Sequence, residues 1–233
     1  MDRPDSKENL ERRAAAGATP VRTPRYGRYV GLLAVLILIV VTIGVAVTKH
    51  NGARGIAPGA VIPPFAAPLA SGTLHGDVNV ATHPNAGAAG KSPACAVRGA
   101  GVLNVCELYG RGPVVLALFI DAGSCQAILA DMQQLAGEFP RVSFAAVAIK
   151  GERGALRALI RARGLTRVAV GFDSDGVLAG LYKMASCPQV TFVLPGGVVQ
   201  SPALLSRPPV ASLRARVSEL AAAARERGWM GPG

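Results

Sequence analysis

Four cysteines, Cys95, Cys106, Cys125 and Cys187, are the residues of this 233-residue sequence best equipped for chemistry. The thiolate is a nucleophile and a cysteine pair stores two electrons, so the chemistry on offer is thiol-disulfide exchange. An even number can pair completely, and four cysteines allow three connectivities. Spacing favours one, because Cys95 and Cys106 lie eleven residues apart in a Gly-rich stretch while Cys125 and Cys187 stand alone. Cys125 follows an apolar run and falls in the first turn of an expected helix, where unpaired amides and the positive end of the dipole favour a thiolate. A reactive thiol and an inert buried one are both open readings of that position.

The remaining polar residues point elsewhere. His75 and His83 have no Cys, Asp or Glu at ligand spacing, so they read as solvated loop histidines and no metal site is expected. Asp173-Ser174-Asp175-Gly176 lacks the sixth-position Gly and the distant Glu of a calcium loop and reads as a turn. Neither GxGxxG nor GxxxxGK[ST] follows an expected strand, which argues against a nucleotide-binding fold, and no cofactor is expected. Lys+Arg 25 against Asp+Glu 14 gives a formal charge of +11, but aromatic residues at 5% offer few platforms for stacking bases, so nucleic acid is not an expected partner. The basic stripe Arg153, Arg157 and Arg161 reads as a solvated helix face, with attraction to anionic lipid or envelope polymer as the functional alternative.

The elements that position the cysteines begin with a membrane segment. Val30 to Thr48 is nineteen residues without a charge, enough in helical form to span the ~30 Å hydrocarbon layer. Arg12, Arg13, Arg22, Arg25 and Arg28 precede it, and only Lys49 and Arg54 follow closely. The positive side stays in the cytoplasm, so residues 1–29 are expected as a disordered cytoplasmic tail and the rest of the chain outside the cell membrane. In that compartment disulfides persist. Residues 49–94, rich in Pro, Gly and Ala, read as a linker, with a short strand or hairpin near 73–82.

From Cys95 the sequence becomes periodic. Val102–Val105 is an expected short strand, and Pro113–Ile120 is a continuous apolar run of the kind buried on both faces of a covered sheet. Ser124 is placed to cap a helix carrying Ile128, Leu129, Met132, Leu135 and Phe139 on one stripe, ended by Pro140. Then follow a strand at 142–149, a helix at 152–163, a strand at 168–172, a short helix at 177–182, a strand at 189–194, a Pro195-Gly196-Gly197 turn, a strand at 198–200 and a final amphipathic helix. This order predicts an α/β fold of three layers, a mixed central sheet with helices on both faces, over 95–228, with a flexible end at 229–233.

The apolar strand, a junction cysteine heading a helix that stops at Phe139-Pro140, the 173–176 turn, and Cys187-Pro188 before a strand and a Gly-Gly hairpin together resemble the thioredoxin-like redoxin superfamily. Within it, the pattern is similar to membrane-tethered extracytoplasmic proteins related to thiol-disulfide oxidoreductases and alkyl hydroperoxide reductases. The resemblance covers about 95–225 and implies a thioredoxin fold with Cys125 in the nucleophilic position and Pro188 as a cis-proline that helps bind the substrate chain. It also places Cys187, just before that proline, against the start of the active-site helix. The chain departs from the family in one respect: Cys-x-x-Cys reads Cys125-Gln126-Ala127-Ile128. The peroxidase pattern ahead of the reactive cysteine is missing as well. The resemblance therefore implies a Cys125–Cys187 disulfide across the site in place of the missing partner, with Cys95–Cys106 as a structural disulfide. Two functions follow as expectations. One is an envelope thiol-disulfide oxidoreductase in which Asp121 and Ser124 tune the Cys125 thiolate; the other is a non-catalytic binding or scaffold module whose disulfides are only structural.

Overall fold

A computed structural model of the chain describes residues 27–50, 55–86 and 91–229, with side chains from 29 to 42 in the first segment. The expected tail lies outside the described residues as far as residue 26, as do residues 230–233 at the other end. The described residues fall into two units, divided between Gly52 and Ala53.

In the first unit, Gly27–His50 forms one helix, α1. Its polar Thr42 satisfies its hydroxyl internally by donating to the carbonyls of Leu38 and Ile39, at 2.7 and 2.9 Å. Among the described residues no helix is long and apolar enough to cross a membrane. The expected span runs on to Thr48, and the side chains of 43–48 lie outside the described ones.

The second unit is built around β3 (Val114–Ile120), flanked by β4 (Ser143–Ile149) and β6 (Gln189–Val193), with β5 (Val168–Asp173) beyond β4. β3 runs parallel to β4, from Val114↔Ser143 to Ile120↔Ile149, and antiparallel to β6, from Val114↔Val193 to Leu118↔Gln189. β4 and β5 are parallel. The uninterrupted apolar run of β3 has the physical cause read from it, because alternate residues feed two cores. Val115, Ala117 and Phe119 pack with α3 (Ala127–Glu138), α4 (Arg153–Ala162) and α6 (Val210–Glu226) through Met132, Leu135, Leu156, Leu213 and Val217. Val114, Leu116 and Leu118 pack on the other face with Val105, Leu178 and Tyr182, from α2 (Val105–Arg111), α5 (Val177–Leu181) and the turn after it. Helices thus cover both faces of a mixed sheet, as the order of elements predicted.

Residues 55–81 correct the linker reading of 49–94. Ile62, Phe65 and Ala67 are buried in the core of the second face and Ala70 in that of the first, so the segment forms an extended strap that passes from one face to the other. Its strand β1 (Ala66–Pro68) pairs antiparallel with β2 (Val102–Asn104), while Ala70 donates to Val170 of β5 at 2.9 Å. Phe65 meets the Tyr182 ring edge-on at 5.7 Å, and the Tyr182 hydroxyl donates to the Pro63 carbonyl at 2.7 Å. The prolines fit because the strap is tied to its neighbours through the N–H groups of other residues, Ile62, Ala66, Leu69 and Ala70 among them, and the apolar residues between the prolines supply the burial. In place of a hairpin at 73–82 there is one isolated bridge, Ala66↔Asn79.

Smaller differences share this origin. The expected strand at 198–200 is reduced to bridges, because Val199 bonds the strap at Ala60 while Gln200 bonds β6 at Phe192. Arg153 and Arg157 are not simply solvated: Arg157 donates to the carbonyls of Ala70 and Gly72 at 2.9 and 2.6 Å, and Arg153 donates to Thr73 and lies over the Phe172 ring. Trp229, assigned to a flexible end, is anchored by its indole N–H on the Arg111 carbonyl at 3.1 Å. It fills the space a side chain at Gly112 would need, since a Cβ there would lie 2.5 Å from the ring.

The turn read at Asp173–Gly176 is present and leads into α5. The buried Asp173 carboxylate accepts from the N–H groups of Gly176 and Leu178, at 3.1 and 2.8 Å. Burial first, and then a hydrogen bond shared with Asp175, push the Asp173 carboxyl up to about 6 against the pull of those N–H groups. The same contact holds Asp175 below its ordinary value. Folded Asp173 therefore binds its proton more tightly than the unfolded chain does. Its contribution to stability is complete below the ordinary value of 3.8 and is lost as pH rises through about 6. Between about pH 4 and 7 the wild type is expected to lose more stability than Asp173→Asn, in urea denaturation followed by the fluorescence of Trp229. Parallel curves for the two proteins would show that another group titrates.

Candidate active site

β3 ends at Ile120, and the chain then turns sharply to enter α3. Ala122 donates to the Ile120 carbonyl at 2.7 Å, and Gly123 takes φ +48, a left-handed conformation that favours glycine. Residues Gly123–Gln126 form one 3-10 turn before the α-helix starts at Ala127, and Cys125 sits in that turn, half-buried. The Cys125 N–H is used on the Ala122 carbonyl at 3.3 Å.

The expected Ser124 cap is absent. Neither the turn nor α3 has a side-chain cap, and Ser124 is exposed, contributing its carbonyl to the Ala127 N–H instead. The extra 3-10 turn accounts for this, because it places Ser124 inside the turn rather than before it. The Asp121 carboxylate is held by the Gln126 amide at 2.6 Å, so these two residues bracket Cys125. Ile128, which occupies the place of a second active-site cysteine, is fully buried in the core.

Cys187 arrives from the other side of the sheet. It precedes Pro188 through a cis peptide bond, and the strand ladder of β6 begins one residue later, at Gln189. Gln189 is buried and fixes the loop leading in: its amide donates to the Tyr182 carbonyl at 3.0 Å and accepts from the Ala185 N–H at 3.3 Å. Cys125 and Cys187 are joined by a disulfide with Cα atoms 5.5 Å apart, within the range such bonds span. The Ile120 N–H donates to the Cys187 sulfur at 3.2 Å.

Three further groups, not singled out by sequence reasoning, hold the two halves in place. Asp131 on α3 is buried and bound at both oxygens by Arg207, at 2.6 and 2.8 Å. Two residues upstream of Arg207, the Leu205 carbonyl accepts the Ser186 hydroxyl, and Leu204 exchanges two backbone bonds with Val190 of β6. The segment 204–207 thus ties the helix after Cys125 to the loop carrying Cys187. At the far end of α3, Arg214 binds Glu138 at both oxygens and holds its carboxyl below the ordinary value.

Cys95 and Cys106 form the second disulfide, with Cα atoms 5.4 Å apart. Between them lies buried Asn104, whose amide donates to the carbonyls of Ala94 and Val97 and whose oxygen accepts from Cys106 and Glu107 at the start of α2. The capping pair Asn104 and Glu107 was the available signal for α2, a helix missing from the sequence reading. His75 and His83 are exposed, and His75 faces Arg153 at 3.3 Å. Among the described residues no cluster could hold a metal ion.

No protein-family model and no curated protein matches the sequence. Solved structures do match, and they show a thioredoxin-like fold. A candidate thiol:disulfide interchange protein, DsbE, from Chlorobium tepidum is 17% identical with a TM-score of 0.52, covering 72% of this chain and 98% of its own. The peroxidoxin BcpB from Mycobacterium tuberculosis is 15% identical with a TM-score of 0.51, covering 73% and 97%. The thioredoxin domain of a thiol-disulfide oxidoreductase from Bacteroides vulgatus is 12% identical with a TM-score of 0.51, covering 71% and 99%.

The Cys95–Cys106 bond closes a short loop remote in sequence from Cys125. Replacing both residues by Ser is expected to lower the unfolding free energy by about 3 kcal/mol, the chain-entropy value for a loop of this length. Urea denaturation measures it; a loss below about 1 kcal/mol would show that the hydrogen bonds of Asn104 hold the loop without the disulfide.

Proposed function

We propose that this chain is a membrane-anchored, extracytoplasmic thiol-disulfide oxidoreductase acting on thiols or disulfides of envelope proteins, with Cys125 as the cysteine that joins the substrate and Cys187 as its partner thiol. The observation that carries this reading is the meeting of Cys125, at a strand-to-helix turn, with Cys187 beside cis-Pro188. A pair joining two separate elements at the end of β3 can exchange where a Cys-x-x-Cys pair ordinarily would. The names of similarly folded proteins, an interchange protein and a thiol-disulfide oxidoreductase among them, support the same class of chemistry.

In the oxidising direction a substrate thiolate attacks the Cys125 sulfur. The Cys125–Cys187 bond breaks and its electron pair leaves on Cys187. The substrate's second thiolate then attacks its own sulfur in the mixed disulfide, forming the substrate disulfide and releasing Cys125 as a thiolate. Two electrons pass from substrate to protein, and the reverse sequence reduces a substrate disulfide. The paired register of β6 stops at Gln189, so the main chain at Cys187 and Pro188 lies beyond it, beside the reacting sulfurs, where an extended substrate segment can align.

A second reading is supported by Ile128: with the usual resolving position given over to the apolar core, both disulfides serve only to stabilise a binding or scaffold module. Insulin reduction and refolding of a scrambled disulfide protein separate the two. The oxidoreductase is expected to lose its activity in Cys125→Ser, whereas equal rates, or a Cys125/Cys187 potential below about −300 mV, would favour the structural role.

The anchor rests on the charge-free stretch Val30–Thr48, the 24-residue helix α1 containing it, and the arginines that precede it. The full chain is expected to stay with the membrane pellet through alkaline carbonate extraction, with its folded unit open to protease from the outer side. Release into the supernatant would remove the anchor from the proposal.

A further inference from the structure

β3 and β6 exchange backbone bonds as far as Leu118↔Gln189. Ile120 is the next residue of the same row as Leu118, so its N–H points out of the sheet edge toward residue 187. There it meets the sulfur of Cys187, at 3.2 Å, rather than a carbonyl. Ile120 itself is exposed, but β3 is buried as far as Phe119, Ile120 is in register with Ile149 of β4, and Ala122 is tied to the Ile120 carbonyl, so this N–H is held in place by the strand end. Among the described residues, no donor bond of this kind reaches the sulfur of Cys125.

We infer that the Ile120 N–H stabilises Cys187 as the departing thiolate, and so directs incoming thiols onto Cys125. This rests on the exchange reaction proposed above. When an attacking thiolate bonds to Cys125, the Cys125–Cys187 electron pair must go to Cys187, and a direct N–H donor strengthens as that sulfur becomes charged. Attack on Cys187 would send the electron pair to Cys125, which has only the field of the α3 N-terminus. A helix-end field is weaker than a direct hydrogen bond to a charged atom, and Cys125 lies in the 3-10 turn ahead of the first α-helical residue, Ala127. Leaving groups whose thiolate is the more stable depart faster, so the asymmetry selects which sulfur is attacked.

The test uses oxidised full-length protein and a small thiol, so its outcome does not depend on any protein substrate being turned over. The protein is mixed with 2-mercaptoethanol, quenched in acid within the first turnover, capped with N-ethylmaleimide and mapped by peptide mass spectrometry. The mercaptoethanol adduct is expected on Cys125 and the maleimide on Cys187, by about ten to one. Ile120→Pro removes the N–H and is expected to bring the ratio toward one and slow the opening of the disulfide. Ile120→Ala keeps the N–H and the wild-type ratio. If Ile120→Pro loses its far-UV circular dichroism, an ester in place of the 119–120 amide, introduced through the α-hydroxy analogue of isoleucine, removes the same hydrogen with less disturbance. Adducts mainly on Cys187, or a ratio unchanged when the N–H is gone, would overturn the inference. Absence of insulin reductase activity alongside the expected adduct ratio would instead overturn the oxidoreductase reading and leave the directing role of Ile120 standing.

Discussion

Everything at the candidate site depends on β3 being buried on both faces and ending where it does. Val114 to Phe119 have no freedom to move because alternate side chains are locked into two cores. The strand's last residues therefore act as a fixed reference. From Ile120 the chain leaves for Cys125 through a tight turn, and at the same residue the N–H reaches Cys187. One rigid strand end thus positions one cysteine through the covalent chain and the other through a hydrogen bond.

A strand end alone could not hold α3 against the Cys187 loop, and the polar contacts around 204–207 supply that restraint. Asp131 is a carboxylate inside an otherwise apolar helix face, beside Leu129, Met132 and Leu135. Burying such a charge is costly unless it is paired and hydrogen-bonded, and Arg207 satisfies both oxygens while keeping much of its own side chain in solvent. The geometric consequence matters more than the net energy, since the same short segment receives the Ser186 hydroxyl one residue before Cys187. Helix and loop are therefore fastened to one piece of chain.

The other face is closed by a strap that carries no chemistry. Ile62, Phe65 and Ala67 cover what the short helices α2 and α5 leave open, and Phe65 and Tyr182 lock the strap to the turn leading toward Cys187. Asn104 organises the adjacent disulfide by using its amide and its carbonyl oxygen on four backbone groups, so this buried polar side chain is satisfied rather than costly. Where the strap leaves this face, Arg153 and Arg157 of α4 hold it by taking the carbonyls of Ala70, Gly72 and Thr73.

Read alone, the sequence determined the repeating elements and the order in which they follow one another: the doubly buried strand at 114–120, the apolar stripe of 128–135, the turn at 173–176, and a proline directly after Cys187. These are legible because periodicity and local turn chemistry are properties of neighbouring residues. It also narrowed the cysteines to one favoured pairing. Tertiary structure alone decided that a Pro-rich stretch carrying Ile62 and Phe65 is core rather than spacer, that two arginines of a seemingly solvated stripe serve it, that Ser124 lies inside a 3-10 turn, and that Asp131 meets Arg207 across 76 residues. The bond from Ile120 to the Cys187 sulfur belongs to the same class. Each of these depends on which distant segment supplies the opposite surface, and no local pattern records the identity of a partner that folding brings from elsewhere in the chain.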